Sequence, residues 1–270
     1  MLEQAFLESL MDKAWPGLER EVLNLEDPEQ DTAGEWVLRA SSGVTQRANS
    51  VWPRNIAGGT VTSRCIASAV RAAGQWYRLR RLPLIFQVFD DPGTSMLNAV
   101  LDQQRFTRQS ATKIMIRGVE GLPVRTPGRN VELSREPSGE WLRLWWSVDG
   151  RGGEAELEVA QKVLTACPAL YAMVRNDDGV PAAVGRLALV DGWGGIYSMA
   201  TSAAHRRRGY GTEVLAALMK AGTEHGLEGF WLLVTEANRG AQSLYAQAGF
   251  NHYGSYLYRQ APLQRTPSGC

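Results

Sequence analysis

Apolar residues along this chain alternate between two spacings, one suited to a helix face and one to a strand. Leu2, Phe6, Leu10 and Met11 fall at helical spacing over residues 2–14, so an amphipathic helix opens the chain until Trp15-Pro16 interrupts it. Residues 35–40 and 44–52 are rich in strand formers on either side of Ser41-Ser42-Gly43, which predicts a hairpin. A helix over about 63–79, a strand over 84–89, a helix over about 94–104 and a strand over 106–117 complete this half. Its order is strand, strand, helix, strand, helix, strand.

The stretch from Gly118 to Asn130 has little periodicity and contains Pro123 and Pro127, which marks a linker. The expected organisation is a domain over 1–120, a linker over 121–130, a second domain over 131–262 and a loose tail over 263–270. In the second domain a strand begins at 131, and a helix over about 140–164 is broken by Gly150 and Gly152-Gly153. Strands over 171–175 and 181–190 flank the turn Asn176-Asp177-Asp178-Gly179, and residues 191–194 turn into a strand over 195–201. Beyond a basic turn, Val214, Leu215, Leu218 and Met219 form the apolar face of a helix, with Glu213, Lys220 and Glu224 outside it. A buried strand over 230–234, a helix from Asn238 to about Gln247 and a strand over 253–259 follow. Both halves therefore read as α/β.

Composition narrows the function more than the fold. With 270 residues, 44% of them hydrophobic, the chain has enough material for two ordinary domains. A formal net charge of +1 argues against a general nucleic-acid or membrane-surface partner. Cys65, Cys167 and Cys270 are odd in number and far apart, which suggests neither a disulfide framework nor a metal-binding pair. His205, His225 and His252 share no metal-ligand spacing, so no metal is expected. No apolar run approaches the ~18 residues of a membrane span and no signal-type segment opens the chain, so a cytoplasmic protein is expected.

The chemistry concentrates in His205-Arg206-Arg207-Arg208-Gly209-Tyr210-Gly211-Thr212, between a strand and a helix. The unpaired amides of a first helical turn point at whatever sits there, and glycines let the backbone approach it closely. Arginines, Arg206 first among them, add fork-shaped donors suited to phosphate. A Rossmann site would need a third glycine where Val214 stands, and the Gly-Lys-Ser/Thr of a P-loop is absent. A phosphorylated cofactor of another kind is implied.

A weak internal repeat adds to this picture. Phe86-Gln87-Val88, a helix and Leu101-Asp102-Gln103-Gln104-Arg105-Phe106 parallel Phe230-Trp231-Leu232, a helix and Tyr245-Ala246-Gln247-Ala248-Gly249-Phe250. The arginine-glycine turn has no counterpart in the first half, so one cofactor site is expected.

The R-x-x-G-x-G at Arg206 to Gly211, followed by N-x-x-A-x-x-L-Y-x-x-x-G-F at Asn238 to Phe250, resembles the GCN5-related N-acetyltransferase (GNAT) family. The resemblance spans about 131–260, and the first half looks like the degenerate N-terminal repeat of tandem bacterial members. It implies α/β (α+β) domains with mixed sheets and flanking helices, acetyl-CoA as cosubstrate and an amine acceptor, either a small molecule or a protein amine. The pyrophosphate would lie on the amides from Arg207 to Thr212, and the pantetheine arm beside Met199, Ala200 and Thr201. A backbone amide at Met199 or Ala200 would polarise the thioester carbonyl. Tyr245 would protonate the departing thiolate, and Asn238 would bond the cofactor or simply cap its helix. The strand before Asn238 lacks the glutamate of many relatives, which leaves Glu236 as the nearest candidate base. The tryptophans read as core, with Trp193 beside the acceptor cleft. A CoA-binding regulator or an interaction protein is the alternative to an enzyme, and Tyr245 favours the enzyme, since a mere binder has less need of a leaving-group acid.

Overall fold

The computed structural model describes residues 3–27, 30–54, 61–120 and 125–262. The expected tail 263–270, residues 121–124 of the expected linker and Gly58-Gly59 fall outside the described residues. By contact the chain divides into two units, Met1–Pro16 with Lys113–Tyr253, and Gly17–Thr112 with Gly254–Cys270. This division differs from the linear one at both ends of the chain, because helix α1 (Gln4–Ala14) belongs with the later unit and the boundary passes through strands β5 (Thr107–Gly118) and β11 (Asn251–Gln260).

In the unit that holds the basic turn, β6 (Val131–Ser134), β7 (Ala169–Arg175), β8 (Pro181–Val190), β9 (Trp193–Thr201) and β10 (Gly229–Thr235) lie side by side in that order. The first three junctions are antiparallel and the β9/β10 pair is parallel. Strands β7 and β8 are buried almost throughout, as expected of strands covered on both faces. Alternation sends Leu170, Ala172, Val174, Leu187 and Ile196 into one core with Val214, Leu215 and Leu218 of α6 (Tyr210–Glu224). Tyr171, Arg186 and Tyr197 face the other way, toward Trp141 of α4 (Gly139–Asp149) and Trp15. The indole nitrogen of Trp141 donates to the carbonyls of Ala172 at 3.0 Å and Gly185 at 3.3 Å, which fixes α4 over β7 and β8.

Helix α5 (Glu154–Thr165) follows α4 after the break expected at Gly150 to Gly153. A Cβ at Gly150 would run into the Trp146 ring, and Gly152 has φ +110, so this turn depends on glycine. Fully buried Arg186 forms no ion pair with a carboxylate among the described residues. Its guanidinium donates to the Ala14 carbonyl at 3.2 Å and to Cys167 Sγ at 3.1 Å, which ties the end of α1 to β8.

The other unit departs from the sequence expectation at its start. The hairpin partner of β2 (Gln30–Ala40) is β1 (Glu19–Asp27), in register from Glu19↔Ala40 to Leu25↔Gly34, and of the expected strand 44–52 Trp52 alone pairs with β2, opposite Val37. Left-handed backbone at Ser42, Gly43 and Thr45 coils the chain after β2. Asn49 pins the coil: its Oδ1 accepts from the amides of Ser41 and Gly43, and its Nδ2 donates to the carbonyls of Val44 and Thr45. Only Val51 bridges Phe86 in parallel before β3 (Trp52–Arg54) joins the middle of β2. Helix α2 (Ser63–Leu79) then leads to β4 (Ile85–Phe89), which pairs with β11, and α3 (Ser95–Gln103) leads to β5.

Strand, helix, parallel strand, helix is also the order of β9, α6, β10 and α7 (Arg239–Gln247), and the repeat extends to individual hydrogen bonds. Phe106 N donates to Leu101 O at 3.0 Å and Phe250 N to Tyr245 O at 3.0 Å, each closing a helix through a left-handed residue, Arg105 or Gly249. The position of Tyr245 is thus held by buried Leu101 in the first half.

Candidate functional site

The site begins where β9 and β10 part. Their parallel ladder runs from Trp193↔Gly229 to Ile196↔Leu232 and stops, although β9 continues to Thr201 and β10 to Thr235. Strand β8 stays paired with β9 as far as Ala183↔Thr201, so the far part of β9 keeps one partnered edge and turns the other toward the fork. Loops that bind ligands in such sheets lie at the carboxyl ends of parallel strands. Here those ends lead into the basic turn after β9 and into Glu236 to Asn238 after β10.

A bulge sits at the fork. Arg186 pairs with Tyr197 and Val184 with Ala200, so Ser198 and Met199 together oppose Gly185. Gly185 is required there, because a Cβ would come within 2.5 Å of Met199 Sδ and 2.7 Å of Val214 Cγ1. Ser198 has φ +53, a conformation costing an L-residue about 1–2 kcal/mol. Its Oγ is buried with no hydrogen-bond partner among the described residues.

The basic turn presents its main chain. Arg206, Arg207, Arg208 and Gly209 are exposed, and none of the three arginines forms an ion pair among the described residues. Left-handed backbone at Arg207 (φ +63) and Gly209 (φ +84) bends the turn, a geometry that gathers successive N–H groups into an anion-binding concavity. Gly209 is the N-cap of α6 and supplies no side-chain cap, so the amides of Arg207 to Gly211 have no acceptor among the described residues. The Thr212 amide differs from expectation, since it donates to the Gly209 carbonyl at 3.0 Å and closes the first turn. Tyr210 offers only its amide; its ring is buried edge-on to His205 and beneath the Arg129 guanidinium, 4.6 Å from the ring centre. In the first half, α2 is closed by its N-cap Thr62, whose hydroxyl accepts from the Cys65 amide.

Glu213, placed outside the buried face by its charge, is in fact buried. Its carboxylate accepts from Arg125 at 2.7 Å and from the amides of Gly128 and Arg129 at 2.6 and 3.2 Å. Segment 125–129 of the expected linker is therefore anchored to the first turn of α6. Trp193 also departs from expectation, because it pairs with Gly229 at the end of β9 remote from the fork.

Thr201, Gly211 and α7 converge. A Cβ at Gly211 would lie 3.5 Å from Thr201 Oγ1 and 3.8 Å from Leu244 Cδ2, so the end of the fork, the open helix turn and the residue before Tyr245 share one corner. Tyr245 packs in the core edge-on to Phe250, and burial pushes its phenol well above the usual range. Arg117 on β5 donates to the Ala248 carbonyl at 2.6 Å and fastens the end of α7. Asn238 caps α7, its Oδ1 accepting from the Ala241 amide at 3.1 Å. Glu236 is exposed, and its carbonyl accepts from Gln242 at 2.9 Å. The bulge, Gly185 and the Glu213 anchor escape a reading of the sequence; a lone glycine amid β-formers is the one hint at the bulge.

Among the described residues no group of His, Cys, Asp and Glu side chains is placed to hold a metal, and no helix is long and apolar enough to cross a membrane. A parallel strand pair here parts beside an open, glycine-led helix N-terminus. The family model described as "Probable histone acetyltransferase Rv0428c C-terminal" matches residues 4–259, and the chain belongs to that family. The Bacillus subtilis (strain 168) protein described as uncharacterized N-acetyltransferase YobR is 26% identical over 235 residues, covering 85% of this chain and 91% of the relative.

Among solved structures, a GCN5-related N-acetyltransferase from Sphaerobacter thermophilus superposes with TM-score 0.70 at 18% identity, covering 94% of this chain and 84% of its own. One from Kribbella flavida gives 0.67 at 19% identity, with 96% and 93% covered. A tandem GNAT protein from the clavulanic acid biosynthesis pathway gives 0.65 at 14%, with 96% and 89% covered. The chain is an N-acetyltransferase with the GNAT fold, and GNAT acetyltransferases generally use acetyl-CoA.

Proposed function

We propose that the chain transfers an acetyl group from acetyl-CoA to a primary amine by direct attack in a ternary complex, at the single site formed by β9, α6, β10 and α7. The observation supporting this most is the fork beside the open turn of α6. A thioester carrier offers phosphates and an amide-bearing arm, which suit unpaired helix amides and a strand edge respectively. In this reading the amides of Arg207 to Gly211 and the guanidinium groups of Arg206, Arg207 and Arg208 hold the pyrophosphate. The edge of β9 from Met199 to Thr201 lines the arm, and Asn238 keeps α7 in place rather than touching the cofactor. Acetyl-CoA supplies an activated acyl carbon. A β9 amide at Met199 or Ala200 draws charge onto its carbonyl oxygen, and Tyr245 donates its proton to the leaving sulfur.

Titration with acetyl-CoA tests this directly. Saturation to about 100 times Kd adds roughly 2.7 kcal/mol of stability by mass action, read as a rise in the thermal unfolding midpoint. No shift at saturation removes the cofactor from the reading.

Glu236 is assigned as the base that takes the proton from the attacking amine. Glu236→Gln then lowers kcat/KM at pH 7 by about 100-fold with acetyl-CoA affinity intact. An unchanged rate assigns the reaction to amine that is already neutral. The family's description as a probable histone acetyltransferase makes a lysine side chain the first acceptor to assay, beside small amines, with free thiol release as the readout.

A further inference from the structure

We propose that Ser198 is a catalytic residue for acyl transfer, its hydroxyl donating a hydrogen bond to the thioester carbonyl oxygen at the fork. The inference rests on the acetyl-CoA reading above and adds a side-chain donor to the backbone amide of that reading.

Three independent features meet at this residue. It lies two residues beyond Ile196, the last β9 residue paired with β10, so it stands at the mouth of the fork, on the stretch of β9 flanked by β8 alone. It belongs to the bulge opposite Gly185, and bulges beside active sites re-aim side chains. It holds φ +53 with a buried Oγ that has no partner among the described residues. Strained backbone and an unmet buried hydroxyl are each unfavourable alone, and both persist here in one side chain. An acyl carbonyl oxygen entering the fork supplies the missing acceptor.

The hydroxyl keeps its proton throughout. As the amine nitrogen bonds to the acyl carbon, the carbonyl π electrons move onto oxygen and the Ser198 hydrogen bond strengthens. The amine nitrogen gives its proton to Glu236, and as the carbon–sulfur bond breaks the oxygen electrons return to re-form the carbonyl, the bond pair leaves on sulfur, and the sulfur takes its proton from Tyr245.

Calorimetric titration of coenzyme A and acetyl-CoA separately tests the assignment, since only the second has the carbonyl. Ser198→Ala should weaken acetyl-CoA about fivefold, the worth of one ordinary hydrogen bond, and leave coenzyme A within twofold. Ser198→Gly should give the same ratio while adopting φ +53 without strain, which separates loss of the hydroxyl from damage to the bulge. With a productive acceptor, kcat should fall about tenfold or more in both variants. Variants that weaken both ligands equally, or neither, overturn the role of Ser198 and leave the cofactor reading standing. A native protein that binds neither ligand overturns both.

Discussion

Tyr245→Phe is expected to lower kcat about 100-fold while leaving the dissociation constant of coenzyme A within twofold. The hydroxyl has no hydrogen-bond partner among the described residues, and the ring packs against Phe250 in the core. Removing one oxygen therefore leaves packing and stability nearly unchanged. Burial raises the phenol pKa, so Tyr245 remains a donor through neutral and alkaline pH up to about 10, and kcat shows no alkaline fall from this group below that pH. The same shift makes it a reluctant acid toward a thiolate, which sets the effect at the lower end of the range for general acids. Steady-state kinetics with coenzyme A binding measured in parallel decides the matter. An undiminished kcat removes Tyr245 from the reaction.

Gly211→Leu is expected to weaken coenzyme A binding at least 100-fold, the loss of about two charge-assisted hydrogen bonds. The Cβ positions at 3.5 Å from Thr201 Oγ1 and 3.8 Å from Leu244 Cδ2 are ordinary contacts, so Gly211→Ala fits and retains binding. A leucine must extend into the corner shared by the helix turn and the fork. Leucine is also a better helix former than glycine by roughly 1 kcal/mol, so α6 does not melt and the loss is local. Thermal-shift titration of the two variants against the native protein checks this. Retained affinity in Gly211→Leu would move the anion site off the first turn of α6.

Local regularities reveal much of this architecture in the sequence. The helical spacing of Val214, Leu215, Leu218 and Met219 and the run Asn238 to Phe250 both survive folding, because their meaning depends on near neighbours: the buried face of one helix, and a cap followed by a six-residue closure. The β1/β2 hairpin was obscured because Glu19, Arg20, Glu21 and Asn24 dilute its apolar positions, and because the coil after β2 depends on left-handed residues tied by Asn49. Glu213 looks like a surface charge until Arg125, Gly128 and Arg129 arrive from 84 to 88 residues away. The bulge at Ser198 is a matter of register between strands, and register has no signature in one strand alone.

The tie between Ala14 and Arg186 spans 172 residues. At about 5–20 residues per second on a ribosome, α1 leaves the exit tunnel on the order of ten seconds before the strand it must cap exists. Its apolar residues Leu7, Leu10 and Met11, buried in the finished protein, are meanwhile available to chaperones. This helix thus waits for a partner made much later, and truncating it should strand a cation in the interior of a domain that lies far downstream in the gene.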